Sequence, residues 1–440
     1  MGWDAIIVGA RCAGSPCAHF LARAGKRVLL VDAASFPSDQ PMSTHFIQPY
    51  GMRVIDELGL GDRVRDIAPP ITTLASSCDD IVIDFHIPGG CCPRRIELDH
   101  VLLEGARAAG AEVLLQHRVV DVLREQDRVV GVIAEDRDGN KRELRARVVV
   151  GADGRNSTIA DLVGAEKYFN YIGPRAFYWA YWPRPASFEQ RTLIAFRGQN
   201  VRLVFPVNRD QIIMGIGFPR DEVDRWKADP RAALTAALRE DPAFAPLVDS
   251  GEPLTKILGM VKVEYFMRRA AGPGWALVGD AGLHKDPTAG FGITDALRDA
   301  RNLAAAILEE TDAALERYWR QRDVDSLELF NYAGDLGEPD YDNPLTHLIY
   351  RKMQHSAELQ DRVRRMFERE LSPYAIITPG KVIRWTLGAM LRGKLDVLGP
   401  FFRAGKRGTE IARELERRKQ LVPREAAPTA PKNYLEPSRV

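Results

Sequence analysis

Asp4-Ala5-Ile6-Ile7-Val8-Gly9-Ala10-Arg11-Cys12-Ala13-Gly14, with Arg27-Val28-Leu29-Leu30-Val31-Asp32 close behind, is the stretch from which the architecture can be read. Residues 4–9 have the length and apolarity of a buried strand. Residues 14–24 (GSPCAHFLARA) place apolar groups on one helical face, and 27–32 read as a second strand. A βαβ unit starting at residue 4 predicts a parallel sheet with a right-handed crossover, and such sheets bind ligands beyond the carboxyl ends of their strands. Gly9 permits the tight turn and Gly14 lets helix and strand pack closely. The free N–H groups of Arg11, Cys12 and Ala13 at the helix start suit a pyrophosphate, helped by the helix dipole. Arg11 stands where this dinucleotide fingerprint has its second glycine. Its side chain either points away from the turn or adds a cation at the phosphates. Asp32, 23 residues after Gly9, sits where a carboxylate accepts ribose hydroxyls.

Further along, residues 51–66 read as helix, 71–92 (with DIVIDFHIPGG) as turn-rich β-structure and 98–110 as helix. Strands are expected at 112–123, 128–135 and 142–151. From about 172 to 265 the segments AFYWAYWP, RTLIAFRG, VRLVFPV and QIIMGIGF predict an inserted sheet, interrupted by a helix near 230–240. The βα pattern resumes at WALVGD (275–280) with a helix at 291–310, so a distant segment completes the first domain. Residues 312–420 read mostly as helix. The expected division is a discontinuous first domain of residues 1–70, 93–170 and 266–335, a β domain of 71–92 and 171–265, a helical region at 336–422, and a disordered tail at 423–440.

A chain of 440 residues with 45% apolar and 28% charged residues has the composition of a globular protein of two or three domains, which excludes collagenous and wholly disordered classes. The net charge of +1 offers no overall case for nucleic acid. Cys12, Cys17, Cys78, Cys91 and Cys92 include no C-x-x-C pair and no histidine at ligand spacing, so neither a disulfide framework nor a metal site is expected. Asp4 followed directly by a strand is unlike a secretory leader, and no apolar run has the length of a membrane span, so a cytoplasmic location is expected.

Two later motifs join the first: VVVGADGRNS (148–157) runs from a strand into Asp153-Gly154-Arg155, and WALVGDAGLHKDPTAGFGITDAL (275–297) passes from a strand through Gly279-Asp280 and a Pro/Gly loop into a helix. The ordered set of N-terminal fingerprint, ADG and late GDA followed by Pro287, Gly290 and Gly292 resembles the FAD-dependent aromatic hydroxylases. These belong to the superfamily of p-hydroxybenzoate hydroxylase fold, which also holds flavin halogenases and geranylgeranyl reductases. The resemblance spans roughly residues 4–310. It implies an α/β fold: a Rossmann-like FAD-binding domain with an inserted, mostly antiparallel β-sheet substrate domain and a helical C-terminal region.

By that resemblance Asp280 bonds the ribityl chain of FAD and Pro287 lies over the isoalloxazine. Gly290, Gly292 and Ile293 bring N–H groups to the flavin pyrimidine, Asp153 and Gly154 belong to the cofactor phosphates and the nicotinamide approach, and Arg95 contacts the cofactor. The late motif usually reads GDAAH; here Leu283 occupies the histidine place and His284 follows it. His284, and His45 in Ser43-Thr44-His45, are candidates for proton traffic near the flavin, with Pro287 as the third catalytic candidate. No counterpart of the family's benzoate-gripping tyrosine and arginine network is visible. Val201-Arg202-Leu203-Val204-Phe205-Pro206 lacks the tryptophans of the halogenase strand and shares the Phe-Pro end of the prenyl reductase strand. The implied activity is a monooxygenase that takes hydride from NADPH or NADH, uses O2 as co-substrate and hydroxylates an apolar, aromatic or polycyclic molecule through a C4a-hydroperoxyflavin. Reduction of isoprenoid double bonds comes second and halogenation third.

In Phe177-Tyr178-Trp179-Ala180-Tyr181-Trp182, alternation puts Tyr178, Ala180 and Trp182 on one side of a strand. This set, with Phe205, is assigned to a flat apolar substrate pocket. Finally, residues 351–425 carry 18 Lys or Arg against 9 Asp or Glu, interleaved with Ile383, Leu387, Leu391, Leu395, Phe401 and Phe402. A basic amphipathic segment of this kind suits either a solvated helix face or peripheral contact with an anionic membrane or an acidic carrier.

Overall fold

The computed structural model describes residues 2–423. Its first sheet has eight strands built around Trp3–Val8, which pairs in parallel with Val28–Asp32 on one side and Lys141–Gly151 on the other. The register sets Ile6 opposite Leu29 and Val149. Strands Glu112–Leu115 and Trp275–Leu277 extend the parallel array at its two ends, and the short Ala271–Gly272 adds an antiparallel edge. Ala5, Ile6 and Ile7 are fully buried, as expected of a strand covered on both faces. The helices Gly14–Arg23 and Gly292–Leu308 pack together over this sheet. Gly9, Asp32, Ala152 and Gly279 all lie at or just beyond the carboxyl ends of its parallel strands, so one crevice collects all three sequence motifs.

The second sheet has seven strands in the order Leu258–Met260, Arg175–Pro183, Gln211–Pro219, Asn200–Val207, Arg191–Arg197, Ile71–Cys78 and Ile81–Gly90. Every pairing is antiparallel except Arg191–Arg197 with Ile71–Cys78. A small third sheet of Lys167–Ile172, Glu264–Arg268 and Leu283–His284, absent from the sequence reading, joins the regions around the other two. The helix expected at 51–66 is two helices, Pro49–Glu57 and Gly61–Ile67, because the chain turns at Gly59 with φ +73°.

Helices Asp312–Gly337, Pro344–Gln354, Ala357–Phe367, Pro379–Met390 and Leu398–Leu421 complete the described chain. Several are capped as their sequences predict: the Asn343 side chain accepts the N–H groups of Leu345 and Thr346 at 3.0 and 3.1 Å, and Ser356 accepts that of Leu359 at 3.3 Å. The expected tail lies, beyond Pro423, outside the described residues. Among the described residues no helix is long and apolar enough to cross a membrane.

Candidate active site

The crevice at the strand ends encloses a cavity of 590 Å³, within the range of ligand pockets. Gly9, Arg11, Cys12, Ala13, Asp32, Arg95, Asp153, Gly154, Gly279, Asp280, His284, Pro287, Gly290, Gly292 and Ile293 all line it. Gly14 does not, and its role is the close packing expected from sequence: a Cβ there would lie 1.8 Å from the Gly9 carbonyl oxygen. Gly9 itself has φ +105°, and a Cβ would come within 2.4 Å of the Ala152 oxygen. The turn therefore admits glycine alone at both places.

The Arg11 side chain leaves the turn and keeps its charge at the cavity edge, held by a residue outside the sequence motifs. Its Nη1 donates to Asp99 at 2.8 Å, its Nη2 donates to the Ser38 hydroxyl at 2.8 Å, and its guanidinium stands over the Phe36 ring. The side chain swings sideways out of the turn, with no positive φ required of the backbone. Asp99 is fully buried and also takes two bonds from Arg95 and one from the Cys12 thiol. Burial pulls the Arg95 guanidinium down, but Asp99 outweighs it and holds the group firmly charged. Two guanidiniums on one carboxylate leave a net positive charge beside the pyrophosphate turn. The signal for Asp99 was its spacing four residues after Arg95 on the helix Arg95–Ala108.

Asp32 accepts the N–H of Ala10 at 2.7 Å and that of Ala34 at 2.8 Å, so the carboxylate braces the turn while facing the cavity. The Asp153 carboxylate is turned inward onto the Ser157 hydroxyl (2.5 Å) and the Ile159 N–H (3.2 Å), and burial raises its pKa. It shapes the ADG turn, and Gly154 at φ +80° carries the chain past the cavity.

At the opposite wall, Gly290 has φ +63° and leads into the helix Gly292–Leu308, whose N-terminus borders the cavity. A Cβ on Gly292 would meet nothing within 4 Å: its flank is open space. Beneath this turn, buried Asp295 is contacted by Lys285, by Arg298 at 3.3 Å and by Arg369 at 2.8 Å. Burial would raise the Asp295 pKa, but the three cations drive it well below the usual carboxylate range. With Asp299 bound to Arg298, three cations face two carboxylates, and the excess adds to the positive end of the helix. Lys285 and Asp295 could be suspected from the late motif; Arg369, 74 residues away in sequence, could not.

The Asp280 carboxylate, 45% exposed, faces the cleft with His284 Nδ1 at 3.3 Å. Burial raises its pKa, but His284, Lys285 and Arg95 hold it below the ordinary carboxylate range. His284 Nε2 is buried with no hydrogen-bond partner. Asp286, the residue before Pro287, accepts the Thr288 N–H at 2.8 Å and its other oxygen packs against Gly337, so it fixes the loop carrying Pro287.

Two sequence assignments are corrected here. His45 does not line the cavity. It is fully buried at φ +63°, its Nε2 lies 2.5 Å from the Tyr181 hydroxyl, and burial, followed by Arg95 and Arg94, pushes its pKa down to about 3. Enclosed in this way, the imidazole lies outside the lining of the cleft and packs as a partner of Tyr181. The aromatic strand is divided: Ala180 and Trp182 line neither the cleft nor the smaller cavity beside it, while Tyr178 borders that second one. Trp182, Ala180 and the Tyr178 ring pack with Phe218, Trp226 and Phe244 under the helices Val223–Lys227, Pro230–Arg239 and Ala245–Asp249. Phe177, Tyr178 and Trp179 line this second cavity of 60 Å³, with Leu203, Phe205, Ile213, Ile216 and Met260. Phe205, from the neighbouring part of the sheet, is in that lining. Met42, Ser43, Thr44, Met260 and Pro287 border both cavities, so the apolar pocket opens off the larger one beside Pro287. No charged side chain lines the smaller one.

Away from the cleft, Cys78, Asp342 and His347 bring their ligand atoms within 4.8 Å of one another, a grouping that chain spacing concealed. Asp342 already accepts His347 and the Gly198 N–H, so the group is explained as a latch between the strand ends of the second sheet and the C-terminal helices. All five cysteines are free thiols.

The residues fit FAD: a glycine turn at a helix N-terminus, a carboxylate at the second strand, an open flank at Gly292 and an orphaned polar atom at His284. A family model described as an FAD binding domain matches residues 3–323. Digeranylgeranylglycerophospholipid reductase 1 of Methanopyrus kandleri is 30% identical over 358 residues, covering 77% of this chain and 90% of its own length. Menaquinone reductase of Mycobacterium tuberculosis is 27% identical over 340 residues, covering 72% and 78%. Among solved structures, a flavin-dependent brominase matches with a TM-score of 0.71 at 18% identity, over 90% of this chain and 100% of its own. A probable FAD-dependent monooxygenase from Pseudomonas aeruginosa matches with a TM-score of 0.66 at 22% identity, over 81% and 97%. Identities this low speak for the shared fold alone.

Proposed function

The chain belongs to the FAD-binding-domain family and is an FAD-dependent oxidoreductase, and from this premise we propose that it reduces a carbon–carbon double bond of an apolar, isoprenoid-type molecule. The observation that carries this reading is the uncharged pocket of Phe177, Trp179, Leu203, Phe205, Ile213 and Ile216 opening off the FAD cleft at Pro287. At 60 Å³ it takes the tip of a hydrocarbon segment, which its rings desolvate, and the rest of the molecule would lie in the larger cavity beside it. The named activities of the Methanopyrus and Mycobacterium relatives favour the same substrate class and put reduction ahead of hydroxylation.

The cofactor supplies hydride transfer when bound; the chain binds and orients it. Amides at the start of the helix Gly14–Arg23 hold the pyrophosphate, Asp32 takes the ribose, and Asp280 the ribityl chain. The helix N-terminus at Gly292, backed by Lys285, Arg298 and Arg369, favours negative charge on the flavin pyrimidine. His284, oriented through Nδ1 by Asp280, presents Nε2 as the atom that holds or moves a proton. Pro287 and the aromatic wall keep water from the reacting end of the substrate. NADPH or NADH serves as the electron source in this reading.

Hydroxylation with O2 is the second reading, favoured by the flat rings of Phe177, Trp179 and Phe205 in one buried wall, which suit an aromatic substrate. Halogenation has no such support, since the strand Asn200–Val207 carries no tryptophan. The deciding experiment is to reduce the FAD-loaded protein without oxygen and add a geranylgeranyl lipid, which has no quinone ring to accept the hydride. Flavin reoxidation with a product two mass units heavier supports the reductase. Reoxidation that waits for O2 and yields a hydroxylated aromatic product moves the assignment to the monooxygenase.

A further inference from the structure

Nine large apolar side chains are exposed among the described residues, and five of them are crowded into residues 383–402: Ile383 (46%), Leu387 (53%), Leu391 (91%), Leu395 (60%) and Phe402 (66%). The first four recur at every fourth position. Ile383 and Leu387 lie on the outer face of the helix Pro379–Met390, Leu391 at its C-terminal cap, and Leu395 in the connection to the helix Leu398–Leu421. The helix is held in this orientation from behind. Thr386 and Ala389 are buried, and Trp385 packs on the core that also contains Ile376, Phe177 and Phe205. The ridge is thus presented outward by a fixed support.

Its rim is cationic. Residues 381–407 contain seven Lys or Arg against the single Asp396. Lys381, Arg403 and Arg407 are engaged by Glu358, Asp340 and Asp335. Arg384, Arg392, Lys394 and Lys406 are exposed and make no ion pair among the described residues. A second copy of the chain seated face to face would set Arg384, Arg392 and Lys394 against their own images. A surface that is apolar beneath and anionic at its face matches both features at once.

We infer that residues 383–402 form a docking surface for an anionic lipid bilayer, with Leu391 and Leu395 entering the headgroup layer and Arg384, Arg392 and Lys394 resting on lipid phosphates. The surface lies outside the family match at 3–323. Its argument is independent of the reaction, although it also supplies a place to collect an isoprenoid lipid.

The test is co-sedimentation of the full, FAD-loaded chain with phosphatidylcholine vesicles that either contain or lack phosphatidylglycerol. Binding is expected on the anionic vesicles at low salt, about tenfold weaker on the neutral ones, and released as salt shortens the Debye length to about 3 Å near 1 M. The doubles Leu391→Glu/Leu395→Glu and Arg392→Gln/Lys394→Gln should each lose about tenfold in binding, with flavin content and melting temperature unchanged because these side chains touch no core. Leu254→Glu, at an exposed leucine (54%) elsewhere on the surface, should bind like the parent. The inference is overturned by failure to sediment at low salt, by equal binding of the variants, or by equal affinity for neutral vesicles. It also falls if the leucine double converts a dimer into a monomer without lipid, or if an acidic carrier protein is bound while vesicles are not.

Discussion

Arg95 holds Asp99 through two parallel hydrogen bonds, Nε to Oδ1 at 3.0 Å and Nη2 to Oδ2 at 2.9 Å, from the first turn of the helix beside the dinucleotide turn. Because Arg11 and the Cys12 thiol bind the same carboxylate, Asp99 ties the phosphate-binding turn to Arg95. Removing the charge strands a buried guanidinium, at a cost of about 3–5 kcal/mol. Asp99→Asn should therefore lower both the unfolding midpoint and the flavin absorbance per protein. A variant with full flavin and an unchanged midpoint would refute this role.

Gly292 and Gly14 should fail in opposite ways. The Cβ of Gly292→Ala meets nothing in the protein, so Gly292→Val should keep the parent's circular dichroism and melting temperature yet purify with little FAD. Gly14→Ala drives a carbon to 1.8 Å from the Gly9 oxygen and should compromise the fold itself. Equal flavin content in Gly292→Val and the parent would remove the cofactor from this flank.

Trp179 and Trp182 separate substrate binding from stability. Trp182→Ala empties a fully packed site and should cost about 3–5 kcal/mol in urea unfolding, with KM for the apolar substrate little changed. Trp179→Ala, at the pocket wall, should raise KM for that substrate severalfold in flavin-reoxidation assays. The reverse pattern would restore the sequence-based assignment of the pocket to Trp182.

Two buried histidines contribute to the loss of stability in acid. Burial, then Arg23, pushes His19 down to about 4; burial, then Arg95 and Arg94, pushes His45 down to about 3. In the unfolded chain both regain a value near 6.5, so below that pH the unfolded state binds more protons. Their contribution is complete above pH 6.5 and is lost as pH falls toward 4, at about 1.4 kcal/mol per pH unit for each. His45→Gln should remove roughly half of that slope in urea midpoints taken between pH 6.5 and 4. An unchanged slope would mean that His45 titrates normally.

Much of this protein was legible because its signals are local. Gly9, Gly14 and Gly290 meet stereochemical demands that show in any short window, and burial on both faces gave Ala5–Val8 its unbroken apolar run. The inserted sheet was readable from alternation, and so was the existence of two aromatic faces on Arg175–Pro183. Alternation carries no sign, however. Which face meets the cleft depends on where the helices 223–249 pack, and they cover Ala180, Trp182 and one side of Tyr178, whose ring still borders the apolar cavity. His45 shows the same limit: its position after Asp32 suggested proximity to the flavin, while its neighbours Arg94, Arg95 and Tyr181 come from about 50 and 136 positions further along the chain.

The sequence by itself thus determined the strand–turn–helix units, the order of the three nucleotide motifs and the cofactor they imply, since each is written in backbone conformation and short-range periodicity. Only the tertiary structure decided that Arg11 is drawn aside by Asp99, that Asp295 gathers Lys285, Arg298 and Arg369, and that Phe177 and Trp179 form the pocket wall. Those outcomes rest on electrostatic and packing contacts between residues brought together from distant parts of the chain, and the energy of such contacts is settled only when the chain is closed around them.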